Sequence, residues 1–121
     1  MGGFFGAYTL FTMPELFQRY ILVSSSLWYA DKYIFHIEQE YSESHNTLNA
    51  NVYFCVGQWE NSKILNVYMS ADQKEFVNKI KSRNYKGLTL SSHIFQRETH
   101  NSVFPAALSR GLRVVFGKTE F

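Results

Sequence analysis

The sequence contains a single cysteine, Cys55, among 121 residues. One cysteine cannot form an internal disulfide, and it cannot supply a zinc site made of several thiolates. The four histidines do not have the spacing of metal ligands either. We therefore expect no disulfide, no metal site and no cofactor, and the sequence does not define a cellular compartment.

The sequence also lacks long runs of basic residues and long apolar segments. The formal net charge is +2 and the basic residues are scattered, which argues against a nucleic acid or an anionic membrane as partner. No apolar stretch reaches the roughly 20 residues that a membrane-spanning helix needs. The first dozen residues are apolar, but no Lys or Arg precedes them and no cleavage site follows, so we expect no signal peptide.

Apolar and aromatic residues are abundant. Hydrophobic residues make up 45% of the chain and aromatic residues 17%, with eleven Phe and eight Tyr. This composition favours a packed interior, and the length suits one domain over residues 1–121. The aromatic content is also typical of a lined pocket or an interface.

Short apolar runs alternate with segments of helical periodicity. Strands are predicted at 20–24, 52–56 and 88–95, and helices at 2–12, 31–43, from Ser70 or Asp72 to about 84, and 103–115. Asp31 is the expected cap of the second helix, and residues 42–51 are expected to form a polar linker. Strands that alternate with helices pair in parallel through right-handed crossovers. The predicted fold class is therefore α/β, with about three parallel strands that look like part of a larger sheet.

The first residues look like the helical half of a strand–turn–helix junction. Gly2 and Gly3 would let the first helix approach a sheet closely. In a Gly-x-Ser-x-Gly nucleophile elbow, one residue separates the serine from the last glycine. Met1 matches that residue, which predicts a nucleophile directly before the chain.

Candidate active groups follow the predicted strands, because ligands bind at the carboxyl ends of parallel strands. His100 lies between the third strand and the last helix, and histidine is suited to proton transfer near neutral pH. Glu60 follows the second strand and is the best-placed acid to orient His100. The alternative interpretation of Glu60 is an exposed loop glutamate, and Glu98 ranks lower because adjacent loop side chains often point apart.

Other polar residues have simpler interpretations. Trp28 and Tyr29 follow the first strand and either wall a substrate cleft or pack their own loop. Cys55 lies inside an apolar strand and is expected to be buried and inert. The remaining candidates lack the context of a catalytic group: Ser24, Ser25, Ser26, Ser102, His36, His45 and His93.

Five segments in order resemble the siderophore-esterase-like branch of the α/β-hydrolases. Residues 1–11 are similar to the helix after the nucleophile, 14–21 to the approach to the sixth strand, and 52–57 to the seventh strand. Ser24-Ser25-Ser26-Leu27-Trp28-Tyr29-Ala30-Asp31 is similar to a Ser-Pro-Ser-Leu-Trp-Trp motif in which Ser25 replaces the proline. Thr99-His100-Asn101-Ser102-Val103 resembles the turn that carries the catalytic histidine.

The resemblance implies the C-terminal part of an α/β-hydrolase fold and hydrolysis of a small-molecule ester, of siderophore type in that branch. It implies that His100 is the catalytic base and Glu60 its acid, although Gln58 stands where some relatives carry Glu. It places Met1 at an oxyanion-hole position and Trp28 and Tyr29 at the substrate. The first five strands and the nucleophile precede Met1 in that fold, so the chain alone is expected to be inactive.

The incomplete sheet also predicts self-association. The strand at 20–24 would have an unpaired edge, and Phe4, Phe5, Phe11 and Phe17 would lack partners. A homodimer through that strand or the first helix would cover both. Two further interpretations stay open: a non-catalytic interaction module, and an unrelated small α/β domain.

Overall fold

The computed structural model describes residues 1–117, which form helices on both faces of a small parallel sheet. The helices are α1 (Gly2–Thr12), α2 (Tyr29–Ser44), α3 (Met69–Ser82) and α4 (Val103–Phe116). The strands are β1 (Arg19–Val23), β2 (Thr47–Gly57), β3 (Asn61–Ser62), β4 (Val67–Tyr68) and β5 (Lys86–Phe95).

The main sheet has the order β1-β2-β5, and both pairings are parallel. β1 pairs with β2 from Arg19↔Asn51 to Val23↔Cys55, and β2 pairs with β5 as far as Gly57↔Phe95. β3 and β4 form a separate two-stranded antiparallel hairpin. The predicted α/β class with three parallel strands is therefore confirmed.

Two apolar clusters cover the two faces of the sheet. The larger one joins α1, α2 and α3 to β1 and β2 through residues such as Phe11, Phe54 and Phe76. The smaller one packs α4 on the opposite face, where Val103 and Ala107 are fully buried. Because β2 lies between both clusters, its last six residues are all buried, as expected of a central parallel strand.

The predicted polar linker at 42–51 is wrong. α2 continues to Ser44 and β2 begins at Thr47, so only two residues separate them. Leu48 and Ala50 are buried, whereas Thr47 and Asn49 are exposed, which is the alternation of a strand with one face toward the core.

The predicted helix caps also need correction. Asp31 does not cap α2, because Ala30, Asp31 and Lys32 have positive φ angles of 51°, 56° and 58°. The helix becomes regular only after this left-handed turn. At α3 neither Ser70 nor Asp72 is the cap, because the helix begins at Met69. Asp72 instead lies 3.6 Å from the Lys32 ammonium.

α1 has the expected bounds, but its close approach to the sheet depends on a different pair of glycines. A Cβ on Gly3 would collide with Ser25, and one on Gly6 would collide with the Leu22 side chain. A Cβ on Gly2 would meet nothing within 4 Å. Within residues 1–117, no helix is long and apolar enough to span a bilayer.

Candidate active site

The carboxyl ends of β2 and β5 are joined by backbone hydrogen bonds. The N–H of Gln58 donates to the Phe95 carbonyl at 2.9 Å, and that of Trp59 donates to the Glu98 carbonyl at 3.0 Å. Gly57 makes this approach possible, because a Cβ there would collide with the Glu98 carbonyl. The loop that carries His100 is thereby held beside the turn that carries Glu60.

Glu60 and His100 are in direct contact. The Nδ1 atom of His100 lies 2.8 Å from Oε2 of Glu60. The Glu60 side chain is fully buried, whereas that of His100 is 67% exposed. An ionised carboxylate can only accept a hydrogen bond, so with Glu60 ionised and the ring neutral the proton lies on Nδ1 and Nε2 keeps its lone pair.

The second carboxylate oxygen of Glu60 is held by two donors. Oε1 accepts the Gly57 N–H at 2.7 Å and the Ser24 hydroxyl at 2.6 Å. Two hydrogen bonds to one oxygen fix the rotation of the carboxylate and direct Oε2 toward His100. They also satisfy a buried charge that would otherwise be costly.

Ser24, which lacks the sequence context of a catalytic group, contacts this acid. The structure places its hydroxyl on Glu60, at the end of β1. Its φ of 50° is the left-handed region, and its N–H extends the sheet by donating to the Cys55 carbonyl at 2.8 Å. The sequence feature that points to this contact is the hydroxyl of Ser24, directly after β1, which is the strand next to β2.

The other acids and amides of the region have different partners. The Glu98 carboxylate accepts the Ser102 hydroxyl, and Ser102 also accepts the Thr99 N–H at 2.9 Å. Gln58 accepts the Arg97 N–H at 3.0 Å. Among the described residues, Glu60 is thus the carboxylate in contact with His100.

Two cavities meet at His100. The first, of about 360 Å³, lies between the start of α1 and the start of α4, where Met1, Gly3, Ser24 and Val103 line it. Met1 thus faces the same cavity as His100, and its carbonyl accepts the Phe5 N–H at 3.0 Å.

The second cavity, of about 490 Å³, lies on the side of the β3–β4 hairpin. Trp28 and Trp59 both line it together with His100. Tyr29 does not, because its ring packs edge-on against Phe4 with centroids 5.3 Å apart. The structure therefore places Trp28 in the same cavity as His100. Tyr29 instead packs against α1, which agrees with the alternative interpretation of a packing aromatic residue.

The remaining reactive groups, Cys55 and His93, make no hydrogen bond to this pair among the described residues. Cys55 is completely buried, and burial raises the pKa of its thiol to about 12. His93 lies on β5, where burial, with the nearby Arg110 as a second cause, lowers the pKa of its ring. Over the part of the chain that the structure describes, no three His, Cys, Asp or Glu side chains are grouped closely enough to hold a metal ion.

The architecture defines the fold class: this is an α/β-hydrolase-like fold. No protein-family profile matches the sequence, and no curated protein matches it. Among solved structures, the BES protein of Bacillus cereus is 27% identical, with a TM-score of 0.78 over 93% of this chain.

Two further structures share the fold at lower identity. Siderophore hydrolase EstB of Aspergillus nidulans is 19% identical, with a TM-score of 0.79 over 98% of this chain. An IroE-like serine hydrolase of Shewanella oneidensis is 22% identical, with a TM-score of 0.78 over 92%. The resemblance to this group of hydrolases is therefore confirmed at the level of the fold.

This chain spans less than half the length of each of these proteins. It covers 41% of the Bacillus cereus protein, 47% of EstB and 36% of the Shewanella oneidensis hydrolase.

Proposed function

We propose that this chain carries the histidine and the acid of a serine esterase, and that the nucleophilic serine is supplied by sequence outside it. The contact between Glu60 Oε2 and His100 Nδ1 is the observation that carries the proposal. Among residues 1–117 no serine hydroxyl bonds to His100, and Ser24 is already bonded to Glu60. The coverage of less than half of each similar hydrolase also supports it.

In the proposed reaction, Nε2 of His100 removes the proton of the serine hydroxyl as the serine oxygen attacks the ester carbonyl. The imidazolium then gives this proton to the departing alcohol, which leaves an acyl-enzyme. Water attacks the acyl-enzyme with the same proton transfers and releases the acid. Glu60 stays ionised throughout, orients the ring and stabilises the imidazolium.

Met1 is proposed to contribute to the oxyanion hole of the longer protein. In an elbow, the backbone N–H of the residue after the serine stabilises the oxyanion. With a serine directly before Met1, that N–H belongs to Met1, which faces the same cavity as His100. The substrate is proposed to be a small-molecule ester, with siderophore esters as the type that the similar hydrolases suggest.

The isolated chain is therefore expected to lack serine-esterase activity. Hydrolysis of a short-chain nitrophenyl ester by the chain should equal that by its His100→Ala variant, because the covalent step has no nucleophile. Turnover that disappears in His100→Ala and is blocked by a covalent phosphonate would contradict the proposal.

The positive test uses the coding sequence upstream of Met1. We expect an in-frame Gly-x-Ser directly before Met1, and we expect the protein extended by this sequence to hydrolyse esters. His100→Ala should lower its kcat by at least about a thousandfold, and Glu60→Ala should also lower it strongly. Glu98→Gln is the matched control, because that carboxylate bonds to Ser102. An upstream sequence without the serine would overturn the proposal.

A second proposal concerns assembly: the isolated chain forms a homodimer. Within residues 1–117, β1 pairs with β2 and with no second strand, so its other edge carries backbone groups without a strand partner there. One face of α4 adds an exposed apolar stripe at a spacing of four residues, formed by Phe104, Leu108, Leu112 and Phe116. Of the four phenylalanines expected to lack partners, Phe5 and Phe17 are exposed, whereas Phe11 is buried in the core and Phe4 packs against it.

A further inference from the structure

We propose that the cavity between Trp28 and Trp59 selects uncharged esters, by stacking a flat or extended apolar group of the substrate and excluding anionic groups. This inference rests on the proposed function, because the cavity is a substrate site only if His100 is the catalytic base. It goes further by assigning the chemical class that this side of His100 accepts.

The size and the walls of the cavity favour an apolar group. Its volume of about 490 Å³ lies within the range of roughly 300–1,000 Å³ that is typical of small-molecule sites. Trp28 and Trp59 are 40% and 59% exposed, so both indoles present open ring surface to a ligand. Leu65 is 73% exposed and lines the same cavity from the turn between β3 and β4.

The charge of the walls excludes an anion. Glu60 and His100 are the only ionisable side chains among the lining residues, and they bond to each other. Within residues 1–117, no Lys or Arg is among the lining residues, and the nearby Lys63 and Arg97 are exposed side chains of the neighbouring loops. An anionic ligand would therefore find no Lys or Arg among these walls, and it would approach the Glu60 carboxylate, which disfavours a like charge.

The chain offers a direct probe of this cavity. It contains two tryptophans, and both line the cavity, so their indole N–H resonances report on it specifically. We would titrate the 121-residue chain with methyl benzoate, with neutral benzamide and with the benzoate anion at about pH 8, and follow both resonances by NMR. The neutral compounds should give saturable shifts, and benzoate should bind at least about tenfold more weakly.

Variants assign the binding to the proposed walls. Trp59→Ala should weaken methyl benzoate binding by about threefold or more, because one stacking surface is lost. Asn61→Lys places a cation at the wall of the cavity and should reduce the difference in affinity between benzoate and methyl benzoate. Tyr33 is an exposed aromatic residue of α2 that does not line the cavity. Tyr33→Ala should therefore change neither the affinity for methyl benzoate nor its ratio to the affinity for benzoate.

The outcome is separable from that of the catalytic proposal. The NMR titration measures binding beside the indoles of the unaltered chain and needs neither a nucleophile nor ester hydrolysis. Benzoate binding as tightly as methyl benzoate would overturn the inference, as would the absence of saturable shifts with the neutral compounds up to about 10 mM. Neither result bears on the catalytic proposal, which is tested by ester hydrolysis in the extended protein.

Discussion

Ser24 combines an unfavourable backbone conformation with a hydrogen bond to the carboxylate that orients His100. Its φ of 50° costs about 1 kcal/mol for a residue with a Cβ. The surrounding contacts hold it there: the backbone N–H continues the sheet, and the buried hydroxyl donates to Glu60 at 2.6 Å. We infer that Ser24 positions Glu60 and does not itself touch the reacting atoms.

We predict that Ser24→Ala loosens the orientation of His100. Oε1 of Glu60 would keep only the Gly57 N–H, so the carboxylate could rotate away from the imidazole. Neutral imidazole would then be a mixture of tautomers instead of the Nδ1–H form. Nitrogen chemical shifts of the His100 ring measure this directly.

Two variants control for a general loss of structure. Ser24→Thr retains a hydroxyl and should restore the Nδ1–H form. Ser26→Ala removes a hydroxyl that lines the cavity between Trp28 and Trp59, and it should leave the His100 tautomer unchanged. An unchanged His100 spectrum in Ser24→Ala would show that Gly57 alone positions Glu60.

His100 and Glu60 could be found from the sequence because each follows a recognisable strand. Strand ends are local features, and parallel strands bring them to one edge of the sheet. The contribution of Ser24 could not be found this way. Its bond to Glu60 spans 36 residues, and nothing in the local sequence indicates a left-handed serine. Similarly, the sequence does not show that Trp28 lines the cavity while Tyr29 packs on Phe4; this difference depends on the three-dimensional packing.

At the scale of the elements, the sequence predicts the order of the large helices and strands but not all their ends. The apolar run at 52–56 identifies the half of β2 that is buried on both faces. Its first half shows the weaker alternation of a one-sided strand, which resembles a polar linker. The hairpin strands β3 and β4 have two residues each, too few to show a period.

The start of α1 offers a matched pair of glycine variants. Gly3→Ala should destabilise the fold by about 1–3 kcal/mol, because its Cβ would lie 2.9 Å from the Ser25 Cα and the backbone has to move. Gly2→Ala should be neutral or stabilising by up to about 1 kcal/mol, since its Cβ meets open space and alanine favours helix. Urea unfolding followed by circular dichroism measures both. Equal midpoints for the two variants would contradict the close approach at Gly3.

At the scale of the whole molecule, the buried thiol makes stability depend on alkaline pH. Burial raises the Cys55 pKa from 9.0 to about 12, so the unfolded chain loses this proton first as the pH rises. The free energy of unfolding should therefore fall between about pH 9 and pH 12. Burial also raises the pKa of Tyr53 to about 12, which acts in the same direction.

Cys55→Ala tests the contribution of the thiol. The variant should be less stable at about pH 8, because a small cavity forms, but its decrease in stability above about pH 9 should be shallower. Urea midpoints across this range for the wild-type chain and the variant provide the measurement. Parallel curves would mean that the tyrosines, and not Cys55, determine the alkaline limit.

The exposed edge of β1 and the apolar stripe of α4 give the last prediction, which concerns association. Phe104 lines one cavity together with Ile21 and Val23 of β1, and the Arg19 guanidinium lies 4.9 Å from the centroid of the Phe116 ring, so both ends of the stripe lie beside β1. A second copy of the chain could pair with the edge and cover the stripe at once, and an isologous arrangement would close after two copies. We expect the isolated chain to sediment as a dimer at micromolar concentration.

Charge substitutions distinguish this surface from the rest of the molecule. Leu112→Lys places a cation in the middle of the stripe, where a dimer would bury it, and should shift the chain to monomer by sedimentation analysis. Tyr33→Lys, on the exposed side of α2, changes the net charge equally and should leave the dimer intact. A folded wild-type monomer would refute the proposal, because the chain would then tolerate both an open strand edge and a four-residue apolar stripe in water.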